Sequence, residues 1–200
     1  MSRPITLAGF ERTFAADPDP WRTFRARDEA HKRAAILHAL GPRPLGRVLE
    51  LASGNGSNSA ALAARALRLD ATEGTLTGTR LTAEAVNQYP RARASPLVLP
   101  GRFPARVYDV IVVAELLYYL DVHQMRRVAR DVAASLRRGG TLVLAHHRID
   151  FHDFAQHAAG IHARFLAATR VRWQKRASSC TGRWRVAAFR SACYRPPASS

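Results

Sequence analysis

Between Arg47 and Ser57 the chain reads R-V-L-E-L-A-S-G-N-G-S, and no other stretch narrows its possible folds as much. Val48, Leu49 and Leu51 follow the loop formers Gly41, Pro42, Pro44 and Gly46, which predicts a strand. Gly54 and Gly56 predict a tight turn, and Ala60-Ala-Leu-Ala-Ala-Arg-Ala66 predicts a helix. Strand, glycine turn and helix together bring backbone N–H groups close to a nucleotide-like ligand. Glycine is required there because a Cβ blocks both the turn and the approach.

The next strand is expected over Leu67–Glu73, stopped by Gly74. Glu73 ends it, 19 residues after Gly54. An acid about 20 residues beyond such a turn meets ribose hydroxyls in nucleotide-binding β-α-β units. A carboxylate suits the task because it accepts two hydrogen bonds from a vicinal diol.

The remaining elements follow from periodicity. Residues 1–20 read as irregular, since Asp17-Pro18-Asp19-Pro20 cannot be helix interior. A helix is expected from Trp21 to about Leu40, ended by Gly41-Pro42. The helix after the glycine turn runs from about Ser57 to Ala66, capped by Ser57 or Asn58. A short helix over Thr82–Gln88 and a third strand over Ala92–Leu99, weakened by Pro96, come next. Val107–Val113 is almost wholly apolar, as a central parallel strand covered on both faces should be. Asp121 caps a helix from about Val122 to Arg138, ended by Gly139-Gly140. Thr141–Ala145 is a fifth strand, and Asp153–Ala168 a helix. Arg170–Ala177 and Arg183–Cys193 form a hairpin around Ser178–Gly182, and the tail is expected to fray. Alternating strands and helices with a closing hairpin define an α/β fold: a mostly parallel seven-stranded sheet, helices on both faces and a C-terminal antiparallel hairpin.

The net charge is +16, yet of the 31 Lys and Arg only Lys32 and Lys175 are lysine. The arginines are spread along the chain, so they are expected as solvated surface, and nucleic acid is the less favoured partner. No apolar run is long enough for a membrane span, and no signal peptide is evident. The two cysteines, Cys180 and Cys193, form no framework or metal-ligand spacing. The histidines from His146 to His162 contain no H-E-x-x-H, and no metal is expected. A cytoplasmic setting is the default.

With these elements placed, the chain resembles the class I S-adenosylmethionine-dependent methyltransferases, and within them the nodulation protein S (NodS-like) family. E-L-A-S-G-N-G stands where the class has E-x-G-x-G-x-G, with Ala52 at the first glycine. Glu73 stands at the acid ending the second strand, where Asp is usual. Tyr108-Asp-Val-Ile-Val-Val-Ala-Glu115-Leu-Leu-Tyr118-Tyr119-Leu120 is similar to the family's F-D-L-I-V-x-S-E-x-x-Y-Y-L. Asp19-Pro20-Trp21 and Glu29-x-x-Lys32 resemble its D-P-W and E-x-x-K.

The resemblance implies S-adenosylmethionine as cofactor, a methyltransferase domain over residues 41–195, and a helical cap or lid over residues 1–40. Glu50, Ser53, Gly54 and Gly56 would line the cofactor's amino-acid end, Glu73 would hold its ribose, and the chain at Leu97 and Val98 would pass the adenine. Trp21 and Arg25 would sit in the lid. Glu115 would stand near the reacting centre, with His146 or His162 relaying a proton. Tyr118, Tyr119 and Arg148 would face the acceptor. That acceptor would be a small molecule bearing an amino group, such as an amino sugar or oligosaccharide. Three rivals remain open: a nucleic-acid (RNA) methyltransferase, a cofactor-binding protein without activity and, more distantly, a dehydrogenase. The first lacks its Asn/Asp-Pro-Pro-aromatic motif after the fourth strand, and the last would want glycine where Ser59 stands.

Overall fold

The computed structural model describes residues 4–191. A single sheet runs through it in the order β3-β2-β1-β4-β5-β7-β6. The strands are β1 (Leu45–Leu51), β2 (Ala66–Glu73), β3 (Ala92–Pro96), β4 (Tyr108–Ala114), β5 (Leu136–His147), β6 (Trp173–Cys180) and β7 (Trp184–Ser191). The helices are α1 (Leu7–Ala16), α2 (Arg27–Ala39), α3 (Ser57–Ala63), α4 (Leu76–Val86), α5 (Val122–Ser135) and α6 (Ile161–Ala168). Strands β1 to β5 pair in parallel, whereas β7 is antiparallel to both β5 and β6. The closing hairpin therefore inserts its second strand into the sheet, and β7 alone is reversed. Among the described residues no helix is long and apolar enough to cross a membrane.

Both sheet faces are buried, and successive strand residues alternate between two cores. Leu49, Ile111, Val113, Leu142 and Leu144 pack with Met125, Val128 and Val132 of α5 and Phe165 of α6. Val48, Val110, Val112, Val143 and Ala145 pack with Ile36 of α2, Leu62 of α3 and Val86 of α4. This is why the central strands read as continuous apolar runs.

Several boundaries differ from the sequence reading, each for a local reason. Residues 7–16 are helical: Thr6 caps α1 by accepting from Gly9 N, and Phe10 and Phe14 lie one turn apart toward the interior. Helix α2 begins at Arg27 because the Asp19 carboxylate gathers Thr23 N, Thr23 Oγ1 and Phe24 N and holds the preceding residues in turns. Gly56, at φ +84°, is the N-cap of α3, so Ser57 is its first residue. Helix α4 starts at Leu76 on a Thr75 cap, well before Thr82. Strand β3 ends at Pro96, which has no N–H to continue the ladder. Asp121 does cap α5, in a reciprocal box with Gln124. Gly139 and Gly140 lie within β5, near the register shift of the β4–β5 pair. Helix α6 is short, starting at Ile161. The hairpin loop is Thr181–Arg183; Cys193 and the tail lie outside the described residues.

Candidate functional site

The sheet order reverses between β1 and β4, and the crevice beyond their carboxyl ends is where such folds take ligands. A cavity of about 560 Å³ lies there. The chain leaving β1 enters it at Ala52, Ser53 and Gly54; β2 contributes Glu73, β3 leads to Leu97 and Val98, β4 to Glu115, and β5 ends on His147. Helix α1 contributes Phe10 and Phe14, and Trp21 follows.

The glycine turn is held from beneath. Gly54 and Gly56 both have positive φ, and a Cβ on Gly56 would meet Ala85 Cβ at 2.7 Å. Gly54 N donates to Glu73 Oε2 at 3.0 Å, while Thr75 N and Thr75 Oγ1 donate to Glu73 Oε1 at 2.9 Å each. Glu73 thus ties the glycine turn to the end of β2. A carboxylate has about four acceptor positions, so a diol arriving at Glu73 replaces one of these bonds or shares an oxygen. Ser53 Oγ pairs with Thr82 Oγ1 at 3.0 Å.

Ala52, at the first glycine position of the motif, has φ +54°. A left-handed conformation costs a residue with a Cβ roughly 1–2 kcal/mol. Ala52→Gly is therefore expected to stabilise the protein by about 1 kcal/mol, seen as a melting temperature raised by roughly 2–4 °C. An unchanged or lower melting temperature would show that the methyl's packing outweighs the strain.

Glu50 does not line the cavity. It is 1% exposed, beneath the turn, and accepts from Ser59 Oγ. Burial pushes its carboxyl up to about 7, aided by the nearby Glu73 and opposed by Ser59 and Asn58. A folded-state value above the ordinary one gives stability that is complete below about 4.5 and is lost as pH rises through 7. Each pH unit of displacement is worth about 1.4 kcal/mol. Glu50→Gln is thus expected to be more stable than the parent at pH 8, by up to about 3 kcal/mol, and nearly equal at pH 4. Urea denaturation at both values checks this.

Glu115 sits just past β4 with φ +51°. Its Oε1 accepts from Lys32 Nζ at 2.8 Å, and its Oε2 from Tyr118 Oη. Lys32, only 3% exposed, also donates to Glu29 at 2.8 Å. The E-x-x-K of α2 and the E-x-x-Y of the β4 loop therefore meet in one cluster. Burial pulls the Lys32 ammonium down, but Glu115 and Glu29 outweigh it and the net shift is upward. Burial raises Glu115 more than Lys32 and His147 lower it.

His146 and His162 lie behind this cluster, outside the cavity. His146 is 1% exposed. Its Nε2 accepts from Leu116 N at 3.3 Å and Leu117 N at 3.2 Å, and its Nδ1 faces His162 Nε2 at 3.0 Å. Because Nε2 only accepts, the proton is on Nδ1 and is given to His162. His162 then carries its own proton on Nδ1, which has no hydrogen-bond partner. Burial, with His162, Lys32 and His147, drives His146 well below the usual imidazole range. Burial and Arg185 lower His162 to about 4.

Tyr118 and Tyr119 line the cavity, Tyr118 stacked on Phe154 at 3.6 Å and Tyr119 edge-on to Phe10 at 4.9 Å. Trp21 lines it too, against Phe14 at 5.3 Å. Arg25 is exposed and outside it; Arg148 is also outside, donating to Thr181 O at 2.6 Å. Gly56 shapes the turn from outside the cavity wall.

Sequence reasoning passed over several participants. Asn55, between the two glycines, donates to Asp19 Oδ1 at 2.9 Å and Pro18 O at 3.1 Å, so the D-P-W segment docks on the turn. Glu11 of α1 accepts from Leu76 N at 2.8 Å and from Thr77, fastening α1 to the start of α4. His147 reaches the cavity where His146 does not. The alternation along β5 carried a usable signal: neighbouring residues face opposite sides.

A model of the nodulation protein S (NodS) family matches residues 8–187. Nodulation protein S of Rhizobium tropici is 30% identical over 141 residues, which span 66% of this chain and 56% of that protein. The match thus covers little more than half of that relative's length. Among solved structures, the N-methyltransferase NodS from Bradyrhizobium japonicum WM9, in complex with S-adenosyl-L-homocysteine, superimposes with a TM-score of 0.78 and 21% identity over 94% of this chain and 98% of that one. DhpI, in its SAH complex, gives a TM-score of 0.71 and 19% identity over 92% and 94%. At these identities the structural likeness carries the fold, while the family model spans nearly the whole described chain. The chain belongs to the nodulation protein S family and has the fold of the S-adenosylmethionine-dependent methyltransferases.

Proposed function

We propose that the chain is an S-adenosylmethionine-dependent N-methyltransferase acting on an amino group of a small acceptor, an amino sugar or oligosaccharide. The charge of the cavity supports this reading best. The chain carries +16 overall, yet among the described residues lining the cavity Lys32 is the single Lys or Arg, facing Glu29, Glu73, Glu115 and Asp153. An acidic pocket in a basic protein attracts cations and repels phosphate chains, which weighs against a nucleic-acid acceptor.

The residues present suit the cofactor. Two positive-φ glycines let the backbone come close, Glu73 offers a carboxylate to a ribose, and Leu97 and Val98 offer apolar surface to an adenine. When bound, S-adenosylmethionine supplies a methyl on a sulfonium, which leaves as a thioether while the acceptor nitrogen's lone pair forms the new N–C bond. Glu115, fixed by Lys32 and Tyr118, stabilises positive charge on that nitrogen. Tyr119, Phe151 and Phe154 offer ring faces and edges for a sugar's C–H surface. The described residues up to 40 act as the cap that excludes water, held by the Glu11 and Asn55 bonds.

Calorimetry with S-adenosylmethionine, then transfer of labelled methyl to glucosamine with N-acetylglucosamine as control, tests the reading. Cofactor binding with transfer to the free amine alone is the expected result. Absence of cofactor binding rejects a methyltransferase, and transfer to random-sequence RNA instead of glucosamine rejects the acceptor class.

A further inference from the structure

An amine acceptor enters largely as ammonium and must lose a proton before its nitrogen can attack, so some group in the cavity has to take that proton. We infer, building on the methyltransferase reading above, that His147 is the general base: its Nε2 removes the proton from an acceptor ammonium held by Glu115.

Geometry separates His147 from the other candidates. Both nitrogens of His146 are committed, Nε2 to two backbone donors and Nδ1 to His162, and its ring is closed off from the cavity. Both oxygens of Glu115 already accept, Oε1 from Lys32 Nζ and Oε2 from Tyr118 Oη, so the carboxylate is committed to holding this cluster together. It keeps lone pairs to receive an N–H, so it can hold an ammonium without taking its proton.

His147 is arranged differently. Its side chain is 16% exposed, and it lines the cavity. Nδ1 lies 3.3 Å from Arg183 O. A carbonyl only accepts, so Nδ1 carries the proton and Nε2 presents a free lone pair. That Nε2 is 3.7 Å from Glu115 Oε2, too long for a direct hydrogen bond. An ammonium seated across the pair reaches both, donating one N–H to Glu115 and another to His147. Phe151 packs edge-on against the imidazole at 5.3 Å and limits its rotation.

The step balances within these groups. The acceptor N–H bond breaks, its electron pair stays on nitrogen as the attacking lone pair, and the proton bonds to Nε2. His147 becomes an imidazolium beside the Glu115 carboxylate, which stabilises it. The charged groups around the imidazole are Glu115 at the end of β4, Lys32 and Glu29 on α2, and Arg183 on the hairpin loop, itself 3.5 Å from Asp28. His146 precedes it in β5, and His152 lines the same cavity.

Two substitutions divide the chemistry from the architecture. His147→Asn retains a donor where Nδ1 meets Arg183 O, and His147→Gln places an amide near Nε2; neither can take a proton. Both are expected to bind S-adenosylmethionine with an affinity within about threefold of the parent, and to methylate glucosamine about 10²–10⁴ times more slowly at pH 7. The deficit should shrink as pH rises and more acceptor arrives as free amine. Nitrogen-15 spectra of histidine-labelled parent protein should show the neutral His147 protonated on Nδ1. Wild-type kcat in His147→Asn, a deficit that does not change with pH, or an Nε2-protonated neutral His147 each overturns the assignment. If the parent itself methylates no amine, the methyltransferase reading fails first, and the nitrogen-15 spectrum still judges the tautomer.

Discussion

Lys32→Met is expected to lower stability by about 3–5 kcal/mol, the usual cost of removing one partner from a buried ion cluster. Lys32 is 3% exposed and bridges Glu29 and Glu115 at 2.8 Å each. Methionine fills similar volume, so the loss comes from two carboxylates left near each other without their cation. The melting temperature should fall by roughly 10 °C. The sign with pH follows from the direction of each shift. In the parent, Lys32 is raised above 10.5, so its contribution is complete below that value and is lost as pH climbs beyond it. In the variant Glu115 loses the cation that lowers it and is raised further, so stability is regained on acidification as it protonates. The gap between variant and parent should be wide at pH 8 and narrow at pH 5. An equal gap at both values would show that the cost lies in packing.

Glu73→Ala and Glu115→Gln should separate binding from turnover. Glu73 joins the glycine turn to β2 and faces the cavity, and hydrogen bonds to a charged group are worth about 1.5–3 kcal/mol each. Its removal is expected to weaken S-adenosylmethionine binding about 10²-fold or more, with Glu73→Asp restoring most of the affinity. Glu115→Gln keeps the shape and one acceptor, which can face Lys32, turns the position facing Tyr118 Oη into a donor, and loses the charge. Cofactor affinity should stay within about threefold while methyl transfer falls about 10²–10³-fold. Calorimetry paired with single-turnover kinetics reads both, and loss of binding in both variants would refute this division of roles.

The fold was legible because its signals are local. Apolar runs such as Val107–Val113 announce strands buried on both faces, and the glycine turn announces the first β-α connection. The Asp121 cap was equally plain. Helix α1 was hidden because Gly9 and the nearby Asp-Pro repeats lower its propensity, while what stabilises it is distant: Glu11 on α4 and the Phe10–Tyr119 contact. The early start of α4 was hidden for the same reason, its first turn being held by Thr75 and by Glu11 from 65 residues away.

Residues 47–57 and Glu73 were fixed by sequence, because spacing along one β-α-β unit sets where a glycine turn and an acid can meet. Which histidine faces the cavity was decided by tertiary structure. His146 and His147 are adjacent and chemically identical, and only the strand's alternation, once β5 pairs with β7, buries one ring behind the β4 loop and turns the other toward Glu115. The same holds for Lys32, 83 residues from Glu115, whose burial between two carboxylates depends on α2 packing beside the end of β4. Local pattern sets the backbone path, but the charge and proton state of a side chain depend on neighbours brought in from far along the chain.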